Sequence, residues 1–127
     1  MADEKMIKGI DNIFYFVSNM ERSIDFYKNT LGLKLVYESE YWCGFDVNGT
    51  TLGIHQIEEN REKEIDLSNI GGQVTFAVDN VHKAYEELKN KGVKFITKVM
   101  EDPWADLAKF IDPDGNVLNI RKAKNES

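Results

Sequence analysis

The sequence is poor in the residues that build disulfides and metal centres. Its 127 residues include one cysteine, two histidines and two prolines. A single cysteine, Cys43, cannot form an internal disulfide bond or a cysteine-based zinc site. A metal centre or a histidine-dependent catalytic group would therefore have to use His55, His82 or carboxylates.

Long apolar runs and an excess of positive charge are also missing. The longest apolar run, 13–17, is far shorter than the roughly 20 residues that span a bilayer. The charged N-terminus has no signal-peptide pattern, so we expect a cytoplasmic protein with no membrane partner. The chain has 22 acidic and 16 basic residues and a net charge of −6. This balance excludes a nucleic-acid partner, which clustered Lys and Arg would attract, and leaves neutral or cationic small molecules.

The first half of the chain has the pattern of a strand, a helix and three strands. Residues 9–17 are β-branched and aromatic, which is typical of a buried strand. Ser18 and Glu21 form a capping-box pattern, and Gly32 lies where a left-handed helix end is expected. Asn48-Gly49 is a strong hairpin signal. The three strands after the helix are predicted at residues 33–38, 41–47 and 51–57.

The second half repeats this plan after a charge-rich segment, 58–70, which we predict to be a linker. Val17-Ser18-Asn19 aligns with Val78-Asp79-Asn80, and Gly32 aligns with Gly92, at an offset of about 60 residues. The alignment indicates an internal duplication, with Asp79 as the second helix cap. The later elements are predicted as strands at 73–78, 93–99 and 117–121, a strand ending near 111, and a turn at 112–115.

Two segments resemble the vicinal oxygen chelate superfamily, which contains glyoxalases, bleomycin-resistance proteins and extradiol dioxygenases. They are residues 17–33 (VSNMERSIDFYKNTLGL) and 110–116 (FIDPDGN). The resemblance covers about residues 7–122. It implies an α+β fold in which two tandem βαβββ modules form a curled mixed sheet around a cleft. The expected organisation is a single domain, 1–127, built of module 7–57, linker 58–70 and module 71–122, in a homodimer.

Metal-dependent members of that superfamily place ligands at four strand positions. The resemblance carries these positions onto Asn12, Gly53, Gln73 and Asn119. Neutral amides and a glycine supply no imidazole and no negative charge for a divalent ion. His55 lies two residues beyond Gly53 and therefore shares its sheet face. We expect no metal and no other cofactor.

Strand alternation predicts which side chains line the cleft. If Asn12 faces it, so do the aromatic residues at 14 and 16, and the hairpin turn places Trp42 opposite His55. If Asp112 lies opposite Val117, residue 110 lies beside Asn119. Residue 104 is in the loop that leads into this strand and overhangs the opening of the cleft. The predicted ligand-binding residues are Asn12, Phe14, Phe16, Trp42, His55, Gln73, Trp104, Phe110 and Asn119.

Aromatic walls with a few polar groups are typical of small-molecule sites, and aromatic faces favour flat or cationic guests. We therefore predict a small-molecule-binding protein that sequesters an aromatic or cationic compound without a metal. The alternative is a superfamily enzyme (lyase, isomerase or dioxygenase) with a non-standard metal site of His55 and a carboxylate such as Glu38 or Glu101. A third hypothesis is a regulatory or dimerising module whose cleft is filled by side chains.

Overall fold

The computed structural model describes residue 6 and residues 10–57 and 73–124. The predicted linker 58–70 and the predicted starts of both modules lie outside these residues. The first half forms β1 (Asn12–Val17), α1 (Met20–Ile24), which continues as a π-helical segment (Asp25–Thr30), β2 (Lys34–Glu38), β3 (Trp42–Val47) and β4 (Thr50–Gln56). The second half forms β5 (Val74–Ala77), α2 (Val81–Asn90), β6 (Lys94–Phe95), β7 (Met100–Glu101), β8 (Ala105–Ile111) and β9 (Val117–Ala123).

The strands form two mixed sheets, one in each half. The first sheet has the order β1-β4-β3-β2, with β1 parallel to β4 and the other pairs antiparallel. The second has the order β5-β9-β8-β6, again with a parallel pair at the β5 edge, and β7 adds to β8. The predicted α+β class is confirmed, and both halves show the expected element order.

The hairpin between β3 and β4 has the predicted register. Trp42 pairs with His55, and Val47 pairs with Thr50. Asn48 and Gly49 both have left-handed backbone conformations, with φ angles of 49° and 97°. This conformation suits a two-residue turn whose twist matches the flanking strands.

Both predicted helix caps are wrong by one residue. Asn19, not Ser18, caps α1 by accepting the N–H of Arg22 at 3.0 Å. Asn80, not Asp79, caps α2 in the same way. The reason in α1 is that Asp114, distant in the sequence, accepts hydrogen bonds from both the N–H and the hydroxyl of Ser18.

The predicted strand 93–99 is interrupted. Only Lys94–Phe95 pairs with β8 before the ladder breaks, and pairing resumes at Met100–Glu101. The break occurs because the hydroxyl of Thr97 accepts the N–H of Lys109 at 3.0 Å, in place of a backbone carbonyl. The carbonyl of Lys109 in turn accepts from the N–H groups of both Ile96 and Thr97.

One hydrophobic core joins the two halves. It includes the side chains of β3 and β4 that alternate with Trp42 and His55, all of them 3% exposed or less (Cys43, Phe45, Leu52 and Ile54). Phe110, Leu118 and Ile120 of the second half belong to the same cluster. None of the described helices is long and apolar enough to cross a membrane.

A buried polar network connects α1 to the turn between β8 and β9. The Tyr27 hydroxyl donates to Asp112 Oδ2 at 2.9 Å, and Asn116 Nδ2 donates to the same oxygen at 2.8 Å. Asp112 Oδ1 accepts the N–H groups of Asp114 and Asn116. Burial raises the pKa of Asp112, although these hydrogen bonds oppose the shift. Burial and the Asp112 charge raise the pKa of Tyr27, which keeps its hydroxyl protonated as a donor.

We expect Asp112→Ala to lower the free energy of unfolding by about 2–4 kcal/mol, because it leaves several buried donors without an acceptor. Urea denaturation followed by circular dichroism measures the loss. Asp102→Ala is the matched control, since Asp102 is exposed. An equal effect of the two substitutions would show that the buried donors find other acceptors.

Candidate functional site

Four predicted residues form one aromatic group on the open face of the first sheet. Phe14 lies 5.4 Å from Phe16 and 5.5 Å from Trp42 between ring centroids. His55 lies 5.4 Å from Phe16 and 6.2 Å from Trp42. The register explains this, because His55 pairs with Phe16 on β1 and with Trp42 on β3. We call Phe14, Phe16, Trp42 and His55 the aromatic group.

Gly53 lets the Trp42 ring lie against the sheet. A Cβ atom built on Gly53 would come within 2.1 Å of Trp42 Cη2. No side chain larger than hydrogen fits there without moving the indole. Phe14, beside the indole, remains 43% exposed, so the aromatic group presents an open apolar surface.

Three side chains form a polar group on the second sheet. Lys109 Nζ donates to Asn119 Oδ1 at 2.8 Å and to Gln73 Oε1 at 3.3 Å. Asn119 Nδ2 donates to Gln73 Oε1 at 3.2 Å. Asn119 is 4% exposed, whereas Lys109 is half-buried. Gln73 and Asn119 were predicted to share a face, and the structure brings them together.

The predicted placement of Phe110 beside Asn119 is wrong. The same error in register is the reason that Lys109 was not predicted as a site residue. Phe110 is fully buried in the core and pairs with Leu118, while Lys109 pairs with Asn119. The N–H of Asp112 bonds to the carbonyl of Asn116, so the ladder is shifted by one residue from the assumed register. A shift of one residue moves every side chain to the other sheet face. The sequence feature that could have identified Lys109 is its place in β8, where it lies between apolar neighbours.

Within the described residues, neither Asn12 nor Trp104 has a hydrogen bond or ring contact that joins it to the aromatic group. Asn12 Nδ2 donates to the neighbouring Asp11 carboxylate at 2.7 Å. Trp104 is 75% exposed in the loop before β8. Among the described residues, no ring contact links Trp104 to the aromatic group.

His55 is not paired with either carboxylate proposed for it. Its Nδ1 lies 3.0 Å from the carbonyl oxygen of Gln56. Glu101 instead lies 2.8 Å from His82. Within residues 10–57 and 73–124, the one group of three side chains spaced to hold a metal ion is His82, Glu101 and Asp106. It contains Glu101 but not His55.

A cavity of about 480 Å³ is lined mainly by the β3–β4 hairpin and by β5. Gln73 belongs both to the polar group and to the lining of this cavity. The other lining residues include Ile13, Thr51 and Thr75.

Two halves of similar element order, each with a mixed sheet and joined by one core, define an α+β protein of duplicated plan. The chain belongs to the Glyoxalase/Bleomycin resistance protein/Dioxygenase superfamily, whose family model matches residues 9–120. The predicted resemblance to this superfamily is confirmed.

Its relatives by sequence include enzymes, and its fold matches that of a binding protein. The chain is 30% identical over 126 residues to a metallothiol transferase FosB of Staphylococcus haemolyticus, covering 95% of this chain and 88% of the relative. It is 29% identical over 122 residues to a lactoylglutathione lyase of Neisseria meningitidis, covering 86% of each chain. Its fold matches that of TnmS3, an antibiotic binding protein of Streptomyces, with a TM-score of 0.77, 22% identity and coverage of 95% and 100%.

The residues at the family's metal-ligand positions do not fit a divalent cation. The Trp42 ring covers Gly53, and the Lys109 ammonium is bonded to the oxygens of Gln73 and Asn119. Asn12 adds only a third neutral amide. A dication among these groups would lack an anionic ligand and would face a positive charge.

We expect Gly53→Ala to displace the Trp42 indole and to lower stability by about 1–3 kcal/mol through overpacking. Tryptophan emission in a Trp104→Phe background reports on Trp42 alone. Gly44→Ala is the matched control on the paired strand, because its Cβ would meet nothing closer than 3.4 Å. Indistinguishable spectra of the two variants would contradict the contact between Trp42 and Gly53.

Proposed function

We propose that the protein binds a small molecule with a flat aromatic part, by metal-independent sequestration. The observation that carries the proposal is the aromatic group, in which Trp42 lies on Gly53 and Phe14 remains half-exposed. Stacked and edge-on aromatic contacts contribute about 0.5–1.5 kcal/mol each beyond the burial of area. An exposed group of such rings is therefore suited to a planar guest.

The polar group supports a site that works without a metal. Gln73 and Asn119 use their oxygens to hold the Lys109 ammonium. The similarity of fold to an antibiotic binding protein is in keeping with sequestration. A cationic guest suits only the aromatic group, since Lys109 puts a positive charge on the second sheet.

We expect the neutral fluorescent probe N-phenyl-1-naphthylamine to bind in the presence of EDTA. Phe14→Ala and Trp42→Ala should each weaken this binding by about tenfold, the effect of losing ring contacts of roughly 1.4 kcal/mol. Both variants should keep the circular dichroism spectrum of the wild type. The control is Tyr41→Ala, at an exposed tyrosine next to β3. Large destabilisation by both substitutions would mean that these rings belong to the core.

Catalysis is the second candidate function, because the FosB and lactoylglutathione lyase relatives are enzymes. This alternative is a superfamily lyase, isomerase or dioxygenase with a non-standard metal site that includes His55. Of the carboxylates proposed to assist it, Glu101 contacts His82 instead. If the probe does not bind and a metal titration shows no bound ion, the results favour the third hypothesis, a regulatory or dimerising module.

A calorimetric titration with Zn²⁺ and with Mn²⁺ separates binding from catalysis. We expect no tight stoichiometric uptake at the site, because its oxygens come from neutral amides. His55→Ala and His82→Ala are the paired variants, the second reporting on uptake by the exposed His82 and Glu101 pair. One tightly bound ion that only His55→Ala removes would establish the enzyme alternative.

The assembly, the location and the domain plan remain predictions. We propose a homodimer, supported by large apolar side chains outside the aromatic group that the single chain leaves more than 40% exposed, including Val36, Tyr37 and Ile96. The cytoplasmic location and the division into module 7–57, linker 58–70 and module 71–122 also remain proposals.

A further inference from the structure

Lys109 carries a positive charge that the described residues do not neutralise. Its hydrogen-bond partners, Asn119 and Gln73, are neutral amides. The ion pairs of Arg22 with Asp114 and of Lys124 with Asp106 do not include Lys109. Within the described part of the chain, the ammonium group is therefore held in place by amide dipoles.

The chain holds this lysine at both its backbone and its side chain. Its N–H donates to Thr97 Oγ1 at 3.0 Å, and its carbonyl accepts the N–H of Ile96 at 2.9 Å. Asn119, whose side-chain oxygen accepts the hydrogen bond from the ammonium group, is 4% exposed. Its amide nitrogen donates a hydrogen bond to Gln73. Ordering a lysine side chain costs conformational entropy. A ligand that meets a charge already in position avoids that cost.

An ammonium group has three N–H donors and no acceptor. The two amide oxygens account for two donors, so the group can donate a further hydrogen bond to a ligand. A hydrogen bond between an ammonium and an oxyanion is roughly twice as strong as one between neutral partners. A cation or an uncharged apolar group would gain nothing from this position.

We propose that Lys109 is a specificity-determining residue that binds an oxyanion of the ligand, such as a carboxylate or sulfonate. The inference rests on the proposed function, which gives the ligand a planar aromatic part. The ligand class is then an aromatic acid. This class departs from the neutral or cationic guest that the net charge of −6 favours.

Two fluorescent probes test the proposal, because they differ only in one anionic group. 1-Anilinonaphthalene-8-sulfonate is N-phenyl-1-naphthylamine with a sulfonate on the naphthalene ring. We expect the wild type to bind the sulfonate about tenfold more tightly, the effect of one charge-assisted hydrogen bond. Lys109→Met should abolish this preference, so that the two probes bind the variant with similar affinity. Lys109→Arg should retain most of it.

Lys98→Met is the control, at an exposed lysine in the segment that precedes β7. It should leave both affinities unchanged. Inorganic sulfate, added to the wild type, should displace the sulfonated probe and not the neutral one. This competition tests the proposal even if a Lys109 variant fails to fold.

The results separate the two proposals. If the neutral probe binds but the sulfonate gives no Lys109-dependent advantage and sulfate does not compete, the oxyanion site is wrong and the aromatic site stands. If the neutral probe does not bind while the sulfonate binds only with Lys109 present, the aromatic site is wrong and the oxyanion site stands. Failure of both probes would overturn both.

Discussion

The carboxylate of Asp112 is the point on which the fold and the site both depend. It orders the turn of Pro113, Asp114 and Gly115 by accepting two backbone N–H groups, and it receives the Tyr27 hydroxyl from the first half. The turn sets the register of β8 against β9. That register directs Phe110 into the core and Lys109 to the open face. One buried acid thus links the packing of the halves to the charge of the candidate site.

The two sheets make different contributions to the site. The first sheet supplies rings, and its close packing requires a glycine beneath Trp42. The second sheet supplies hydrogen-bonding groups around one ammonium. Gly53 on the first sheet, and Gln73 and Asn119 on the second, are at positions that the resemblance to the superfamily assigns to metal ligands. At these positions the scaffold presents a covered glycine and two amides bonded to an ammonium, which supply no anionic ligand for a dication.

Local chemistry explains which parts of this structure could be predicted. Asn48-Gly49 determines its own turn, so the pairing of Trp42 with His55, and with it the aromatic group, followed from the sequence. The alternation of apolar residues in β3 and β4 likewise identified the core side chains. These features depend on residues that are close in the chain.

The features that could not be predicted depend on distant residues. Asp114 binds Ser18 across 96 positions in the chain and displaces the helix cap. Thr97 interrupts a strand by binding the backbone of Lys109. The turn at Asp112 admits two registers on sequence grounds, and the buried hydrogen bonds select between them. Lys109 was missed because its face depends on that selection.

Tyr15 shows how closely the two halves depend on each other. Its hydroxyl donates to the carbonyl of Val117 at 2.9 Å and accepts the N–H of Val74 at 2.7 Å. Burial raises the pKa of Tyr15, so the hydroxyl retains the proton that it donates. The first residues of β5 and β9 thus complete their hydrogen bonding through a side chain of β1. The halves, although similar in plan, therefore form one cooperative unit, and neither carries all the partners that its own backbone needs.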